Sequence, residues 1–161
     1  MVAVLAKSLA KDVMTREPVC VEPWMTIRQL ARIFGENEIS GAPVVDDQGR
    51  VIGLVSKTDL IRQCLEGTGN VLPAYLFESL AATGAEEREI SPETTVRVED
   101  FMTLDPVIAG PDASACELAK LMFDRRIHRI IVADSESKPL GMITSLDLLG
   151  VFPSDAGEAR D

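Results

Sequence analysis

The chain has 161 residues, a formal net charge of −10 and a pI near 4.6, with 46% apolar and 26% charged residues. That balance fits one compact domain or two small ones packed together, and it excludes an intrinsically disordered chain. The acidic surplus repels nucleic acid and anionic membrane in general, and one Trp, one Tyr and five Phe are too few for an aromatic nucleic-acid platform, so the core must be aliphatic.

The opening residues, "MVAVLAKSLAKDVM", lack the basic leader and the long apolar stretch of a signal peptide. No run approaches the ~18 apolar residues of a membrane span. The expectation is a cytoplasmic protein. Cys20, Cys64 and Cys116 are far apart and form no CxxC pair, which leaves a zinc or redox motif without support. Buried thiols in a reducing compartment are the ordinary reading.

In chain order, "DVMT" at residues 12–15 leads into "PVCVEP", a short extended piece. "TIRQLARIFGEN" follows, with Ile27, Leu30, Ala31 and Phe34 at helical spacing and Thr26 placed to start the helix. "APVVDDQGRVIGLV" reads as a hairpin: two β-rich runs around a polar turn. The phrase "GLVSKTDL", residues 53–60, then opens a second helix.

After a break at Gly67, Gly69 and Asn70, "PAYLFESLAATG" fits a short helix ended by Gly84, and "EEREISPETT" reads as a solvated linker. This segment is either a variable connector or a flap carrying Tyr75 and Phe77 over a ligand cleft. The order then repeats. "DFMT", "PVIAGP", "SACELAKLMFDRR", "RIIVADSESKPLGMIT" and "GMITSLDL" stand at one fixed offset, since 147 − 59 = 88 for Asp147 and Asp59. In the second helix Ser114 takes the starting position, and Cys116, Leu118, Ala119 and Met122 are the spaced apolar residues. The same offset holds from Asp12 to Leu60 without a gap, which marks a duplication.

The expected organisation is a first repeat over 7–66, a connector over 67–95, a second repeat over 96–153 and a disordered tail over 154–161. Each repeat runs β-α-β-β-α. One repeat alone buries too little to be comfortable. Two can pack through apolar sheet faces about a pseudo-twofold axis, leaving two related clefts.

The repeated phrase has two readings. Ser56 with Asp59, and Thr144 with Asp147, have the spacing of a capping box, with Asp in place of Glu. Two capped helices would account for both phrases with no ligand. The same geometry also offers a hydroxyl and N–H groups to phosphate, beside a carboxylate able to accept hydrogen bonds from the vicinal hydroxyls of a ribose.

"DVMTREPVCVEP…TIRQLARIFGENEISGAPVVDDQGRVIGLVSKTDLI" resembles a CBS motif, and "DFMTLDPVIAGP…ACELAKLMFDRRIHRIIVADSESKPLGMITSLDLL" resembles a second. Together they resemble a CBS pair, or Bateman module, spanning nearly the whole chain. The resemblance implies an α+β (mixed α/β) fold of two tandem β-α-β-β-α repeats packed sheet to sheet. It also implies a regulatory module that binds AMP, ADP or ATP, or less commonly S-adenosylmethionine, NADH or cyclic di-AMP, in composite clefts.

Carried over residue by residue, the resemblance assigns Asp147, Thr144, Arg129, Thr15, Val19, Cys20, Ile39, Ser40 and Gly41 to a first cleft. Asp147 would hold the ribose diol, Thr144 and Arg129 would face phosphate, and Val19 and Ile39 would sandwich the base. A second cleft takes Asp59, Ser56, Thr58, Thr103, Val107, Ile108, Ile127 and His128. There Gly41 stands where the first cleft has Arg129, so weaker binding or a less charged ligand is expected. Lys57 either compensates or points to solvent. In "RRIHRI", Arg125 and Arg126 read as a solvated helix end, while His128 and Arg129 open a hairpin strand.

Three functions are open: a nucleotide sensor acting by a conformational or assembly change, a ligand-independent dimerisation and docking module, and an enzyme. The single histidine has no evident nucleophilic partner, and no P-loop or metal-ligand phrase is present, so no catalytic residue and no metal are expected. The expected partners are an adenosine nucleotide, a second copy of the chain and a regulated protein, with no nucleic acid and no membrane.

Overall fold

The computed structural model describes residues 7–68 and 96–151. The expected connector helix, the flap residues Tyr75 and Phe77 and the tail over 154–161 lie outside the described residues. In order, the elements are α1 (Ala10–Val13), β1 (Thr15–Arg16), α2 (Ile27–Glu36), β2 (Gly41–Val45), β3 (Val51–Ser56), α3 (Lys57–Thr68), α4 (Val98–Phe101), β4 (Ile108–Ala109), α5 (Ala115–Arg125), β5 (Arg129–Ala133), β6 (Pro139–Thr144) and α6 (Ser145–Leu149). The fold is mixed α/β, and each repeat supplies a short extended segment, a helix, a hairpin and a helix. Gly67 does not stop α3, which runs to Thr68. One glycine costs a helix about 1 kcal/mol and need not end it.

The chain divides into two compact units, and they do not follow the repeat boundaries. One is Val19–Pro106, and the other joins Met1–Pro18 to Val107–Asp161 and is called here the terminal unit. The opening segment of each repeat therefore sits in the unit built by the other. In the terminal unit, Ala10 N–H donates to Ala113 O and Lys11 N–H to Pro111 O, and β1 pairs antiparallel with β6, Thr15 opposite Met142. In the Val19–Pro106 unit the equivalent bonds run from Val98 N–H to Met25 O and from Glu99 N–H to Pro23 O, and Thr103 bridges to Leu54.

The terminal unit holds a sheet in the order β1-β6-β5-β4, antiparallel except for the parallel β4–β5 pair. The Val19–Pro106 unit holds the β2–β3 hairpin, flanked by a parallel bridge from Val21 to Val44. Both hairpins turn the same way. The Asp46 carboxylate accepts from the N–H groups of Gln48 (2.9 Å) and Arg50 (2.8 Å), and Asp134 does the same for Glu136 (2.8 Å) and Lys138 (2.9 Å). The register slips between Val44 and Val45 and between Val132 and Ala133. A left-handed residue completes each turn: Gly49 at φ 76° and Ser137 at φ 63°.

Helices α2 and α5 begin in capping boxes. The Thr26 hydroxyl accepts from Gln29 N–H (3.3 Å) while the Gln29 side chain accepts from Thr26 N–H (2.9 Å), and Ser114 and Glu117 repeat the exchange. Helix α2 buries Ile27, Leu30, Ala31 and Phe34, as its spacing predicts. Helix α5 buries Ala115, Leu118 and Met122, so Cys116 is exposed rather than part of the inner face. Of the three cysteines, Cys64 is buried, Cys20 is half-buried and Cys116 is exposed.

Each unit has its own core. Val21, Leu30, Phe34, Val44, Val55, Leu60 and Val98 fill one. Leu118, Met122, Ile130, Val132, Ile143 and Leu148 fill the other. Both are aliphatic apart from Phe34. Among the described residues, no helix is long and apolar enough to cross a membrane.

Candidate functional site

The two closing phrases fold alike. In one, Ser56 N–H donates to Asp59 Oδ2 at 2.9 Å, the Ser56 hydroxyl donates to the same oxygen at 2.6 Å, and Asp59 N–H donates back to Ser56 Oγ at 3.2 Å. In the other, Thr144 and Asp147 make the same three bonds at 2.7, 2.7 and 3.3 Å. The capping reading is therefore realised in both. It uses Oδ2 of each aspartate and leaves Oδ1 outside the box. Arg62 Nη1 stands 3.8 Å from Asp59 Oδ1. The residue equivalent to Arg62 beside Asp147 is Gly150 (62 + 88 = 150).

The repeated glycines give close approach. A Cβ on Gly53 would stand 2.6 Å from Met102 Sδ and 3.1 Å from Thr103 O. A Cβ on Gly141 would overlap the Met14 side chain and stand 2.8 Å from Thr15 O. The "MT" and "G" parts of the repeated pattern are thus two sides of one contact, Met14-Thr15 on Gly141 and Met102-Thr103 on Gly53.

The ladders sort the candidate residues by face. Directly opposed residues, and residues two apart on one strand, share a side of a sheet. Arg129 is opposite Thr144, Thr15 is opposite Met142, and both Ile108 and Met142 are paired with Ile131. Thr15, Ile108, Arg129 and Thr144 therefore share the face of the terminal unit's sheet that looks away from the Ile130–Val132–Ile143 core. In the other unit, Gly41 is opposite Ser56, and Thr103 bridges to Leu54, two residues before Ser56. Gly41, Ser56 and Thr103 share a face in the same way.

The remaining candidates divide by burial. Val107 and Ile127 pack against the terminal unit's core, and Ile39 packs against the core of Val19–Pro106. His128, Ser40 and Thr58 are exposed, and Val19, Cys20 and Arg129 are half-buried. The carbonyls of His128 and Ser40 accept the N–H groups of Ser145 and Lys57, both at 3.0 Å, which ties each hairpin start to the helix that follows. Burial pushes the Cys20 thiol above its ordinary pKa. Val19, Cys20, Ile39, Ser40, Gly41, Ser56, Thr58, Asp59 and Thr103 belong to the Val19–Pro106 unit. Thr15, Val107, Ile108, Ile127, His128, Arg129, Thr144 and Asp147 belong to the terminal unit.

Ile131 and Met142, outside the candidate set, lie between Arg129 and Thr15 on one sheet face. Period-two alternation along "RIIVA" and "PLGMIT" marks them. Arg62, also outside that set, is three residues beyond Asp59 on α3, where helical spacing puts it beside the carboxylate.

The family model for the CBS domain matches residues 10–66 and 98–154. Protein MJ1426 of Methanocaldococcus jannaschii is 31% identical over 150 residues, spanning 88% of this chain and 89% of that protein. Two solved structures share the fold. The CBS domain pair of protein MJ0100, in complex with 5′-methylthioadenosine and S-adenosylmethionine, has a TM-score of 0.68 at 20% identity and covers 90% of this chain and 95% of that one. CBSX2 of Arabidopsis thaliana, in complex with AMP, has a TM-score of 0.66 at 21% identity and covers 88% of this chain and 93% of that one.

Proposed function

The chain belongs to the CBS-domain family, and from that premise we propose that it is a regulatory module that binds an adenosine nucleotide (AMP, ADP or ATP) and changes conformation or assembly when the nucleotide is bound. The observation that carries the proposal is the placement of Arg129 opposite Thr144, whose hydroxyl caps the Asp147 helix. A guanidinium, a hydroxyl and a carboxylate with one oxygen outside the capping box are then neighbours in one unit. The guanidinium suits phosphate, the hydroxyl can join it by turning its proton from Asp147 Oδ2 to the ligand, and the outer carboxylate oxygen suits a ribose hydroxyl. Adenosine is the part common to the ligands of the MJ0100 and CBSX2 complexes.

In this reading Asp147 holds the ribose, Arg129 and Thr144 face phosphate with Thr15 on the same sheet face, and Val19, Cys20, Ile39, Ser40 and Gly41 serve the base. The equivalent set, Ser56, Thr58 and Asp59 with Thr103, Val107, Ile108, Ile127 and His128, takes a less charged ligand or binds more weakly. Gly41 replaces the guanidinium there, and Arg62 already stands near Asp59 Oδ1. The chain acts as a homodimer on a protein it regulates. The alternative, a docking module indifferent to nucleotide, draws on the exposed apolar side chains Phe123, Leu146 and Leu149.

Thermal unfolding with AMP, ADP, ATP, NADH, S-adenosylmethionine and cyclic di-AMP tests the reading. A ligand at 100 times its dissociation constant adds about 2.7 kcal/mol, which raises the midpoint by roughly 5–10 °C in a domain of this size. Asp147→Asn keeps an acceptor for the cap and removes the charge, so it should fold normally and lose most of that rise. No rise with any of these ligands would turn the assignment to the docking module.

A further inference from the structure

A largely apolar groove of about 400 Å³ opens between α5 and α6 in the terminal unit, with Ala119, Met122, Phe123, Leu148 and Leu149 in its lining. Phe123 is 70% exposed and Leu149 60%. Apolar side chains left open this close together mark a contact surface rather than ordinary scatter.

The start of the chain enters this unit at one end of α5. Leu9 bridges antiparallel to Ser114, and the Ser8 carbonyl accepts Ala115 N–H at 2.8 Å. Antiparallel partners run in opposite directions, so the residues before Ser8 head the way α5 advances. From Ala115, helical spacing carries one stripe through Ala119 and Met122 to Arg126, with Phe123 beside it, and all four of these line the groove. Ala115 and Phe123 are eight residues apart (123 − 115 = 8). That is about 12 Å of helix, and four residues of extended chain reach about 13 Å, which brings Val4 level with Phe123. Residues 1–6, "MVAVLA", are apolar at every position.

The duplication supplies an internal comparison. Arg97 bridges to Thr26 as Leu9 does to Ser114, so both repeats are entered alike. At the offset of 88, the counterpart of residues 1–6 is "EISPET", Glu89 to Thr94. On the helices that follow it, Gly35 stands in place of Phe123, and Ile61, in place of Leu149, is half-buried. An apolar leading segment goes with an open apolar groove, and a polar one goes with a face that lacks the ring.

We infer that residues 1–6 of the same chain cover the α5–α6 groove, with Val4 against Phe123. The tail is a poorer occupant, because "SDAGEARD" after Phe152-Pro153 is polar. A second copy competes at a disadvantage, because a segment tethered through Ser8 acts at an effective concentration on the order of 1 mM. A partner protein that uses this groove has to displace the segment first. The inference stands apart from the nucleotide reading and draws on none of its residues.

Disulfide trapping in the full chain tests it, with Cys20→Ser and Cys116→Ser in the background and Cys64 left buried. Val4→Cys paired with Phe123→Cys should close within one chain roughly tenfold faster than Val4→Cys paired with Asp124→Cys, which lies at the same level on the far side of α5. Fluorescence of 8-anilinonaphthalene-1-sulfonate gives a second readout that needs no change in the groove. Deleting residues 2–6 should raise it severalfold, and deleting residues 152–161 should leave it at the wild-type level. Equal closure rates for the two cysteine pairs, or cross-links formed only between chains, would overturn the inference. So would a dye signal unchanged by the first deletion, or one raised by the second deletion instead.

Discussion

Arg129 and Thr144 stand opposite each other in the β5–β6 ladder, and Gly41 and Ser56 occupy the equivalent opposed positions in β2–β3. The duplication therefore compares a guanidinium with its absence on an otherwise equivalent backbone, and the proposed phosphate role of Arg129 can be tested on that contrast. Arg129→Gly recreates the Gly41 situation. A hydrogen bond to a charged group contributes about 1.5–3 kcal/mol, so ATP affinity should fall roughly 10- to 100-fold, while the affinity for adenosine changes little. Isothermal titration with both ligands reads the difference. Equal losses for both would mean that Arg129 supports the fold rather than the phosphate.

The glycine of each closing phrase predicts an asymmetric pair of defects. Gly53→Ala meets chiefly the Met102 sulfur, the end of a flexible side chain, whereas Gly141→Ala meets the Thr15 carbonyl at 2.8 Å as well as Met14. Overpacking costs about 1–3 kcal/mol. Gly141→Ala should lie at the upper end of that range and Gly53→Ala at the lower. Adding Met102→Ala should recover part of the Gly53→Ala loss, and adding Met14→Ala should leave most of the Gly141→Ala loss in place. Urea denaturation midpoints report all four.

All the left-handed residues described pair at the same offset: Glu17 with Asp105, Glu38 with Arg126, and Gly49 with Ser137. Only the last pair includes a glycine. A non-glycine residue in this region costs about 1–2 kcal/mol, against the roughly 0.5–1 kcal/mol of extra backbone entropy that glycine loses on folding. Ser137→Gly should thus stabilise the protein by about 0.5 kcal/mol, and Gly49→Ser should destabilise it by a similar amount. Differential scanning calorimetry should show midpoints moving in opposite directions by about 1–2 °C.

The duplication makes most of the fold legible in the sequence. Helix starts at Thr26 and Ser114, the hairpin turns at Asp46 and Asp134, and the capped phrases at Ser56 and Thr144 are all local features, set by residues within four positions of one another. What was hidden is non-local. Nothing in "DVMT" says that Met14 and Thr15 pack on Gly141 rather than on Gly53, because the two targets are alike in sequence. Cys116 was misplaced for a simpler reason. The Ala115–Leu118–Met122 face and the face through Cys116 are one residue apart, and an alanine is a weak marker of burial. The candidate site was legible as a set of residue types, while the shared sheet face of Thr15, Ile108, Arg129 and Thr144 required the strand register.

The Asp46 turn predicts a pH dependence. Its carboxylate is held below the usual aspartate range, first by the Arg50 N–H and then by the Arg50 side chain and the Gln48 N–H. A depressed carboxylate stabilises the fold fully above the unfolded-state value, near 4, and that contribution fades as pH falls through the lower folded value. Asp46→Asn retains one acceptor for the turn and cannot ionise. Wild type should therefore exceed Asp46→Asn in stability at neutral pH, and the gap should narrow steadily below about pH 4. Urea midpoints of both proteins between neutrality and acid measure it. A gap constant across that range would mean that the charge contributes nothing to the turn and that the neutral hydrogen bonds alone hold it.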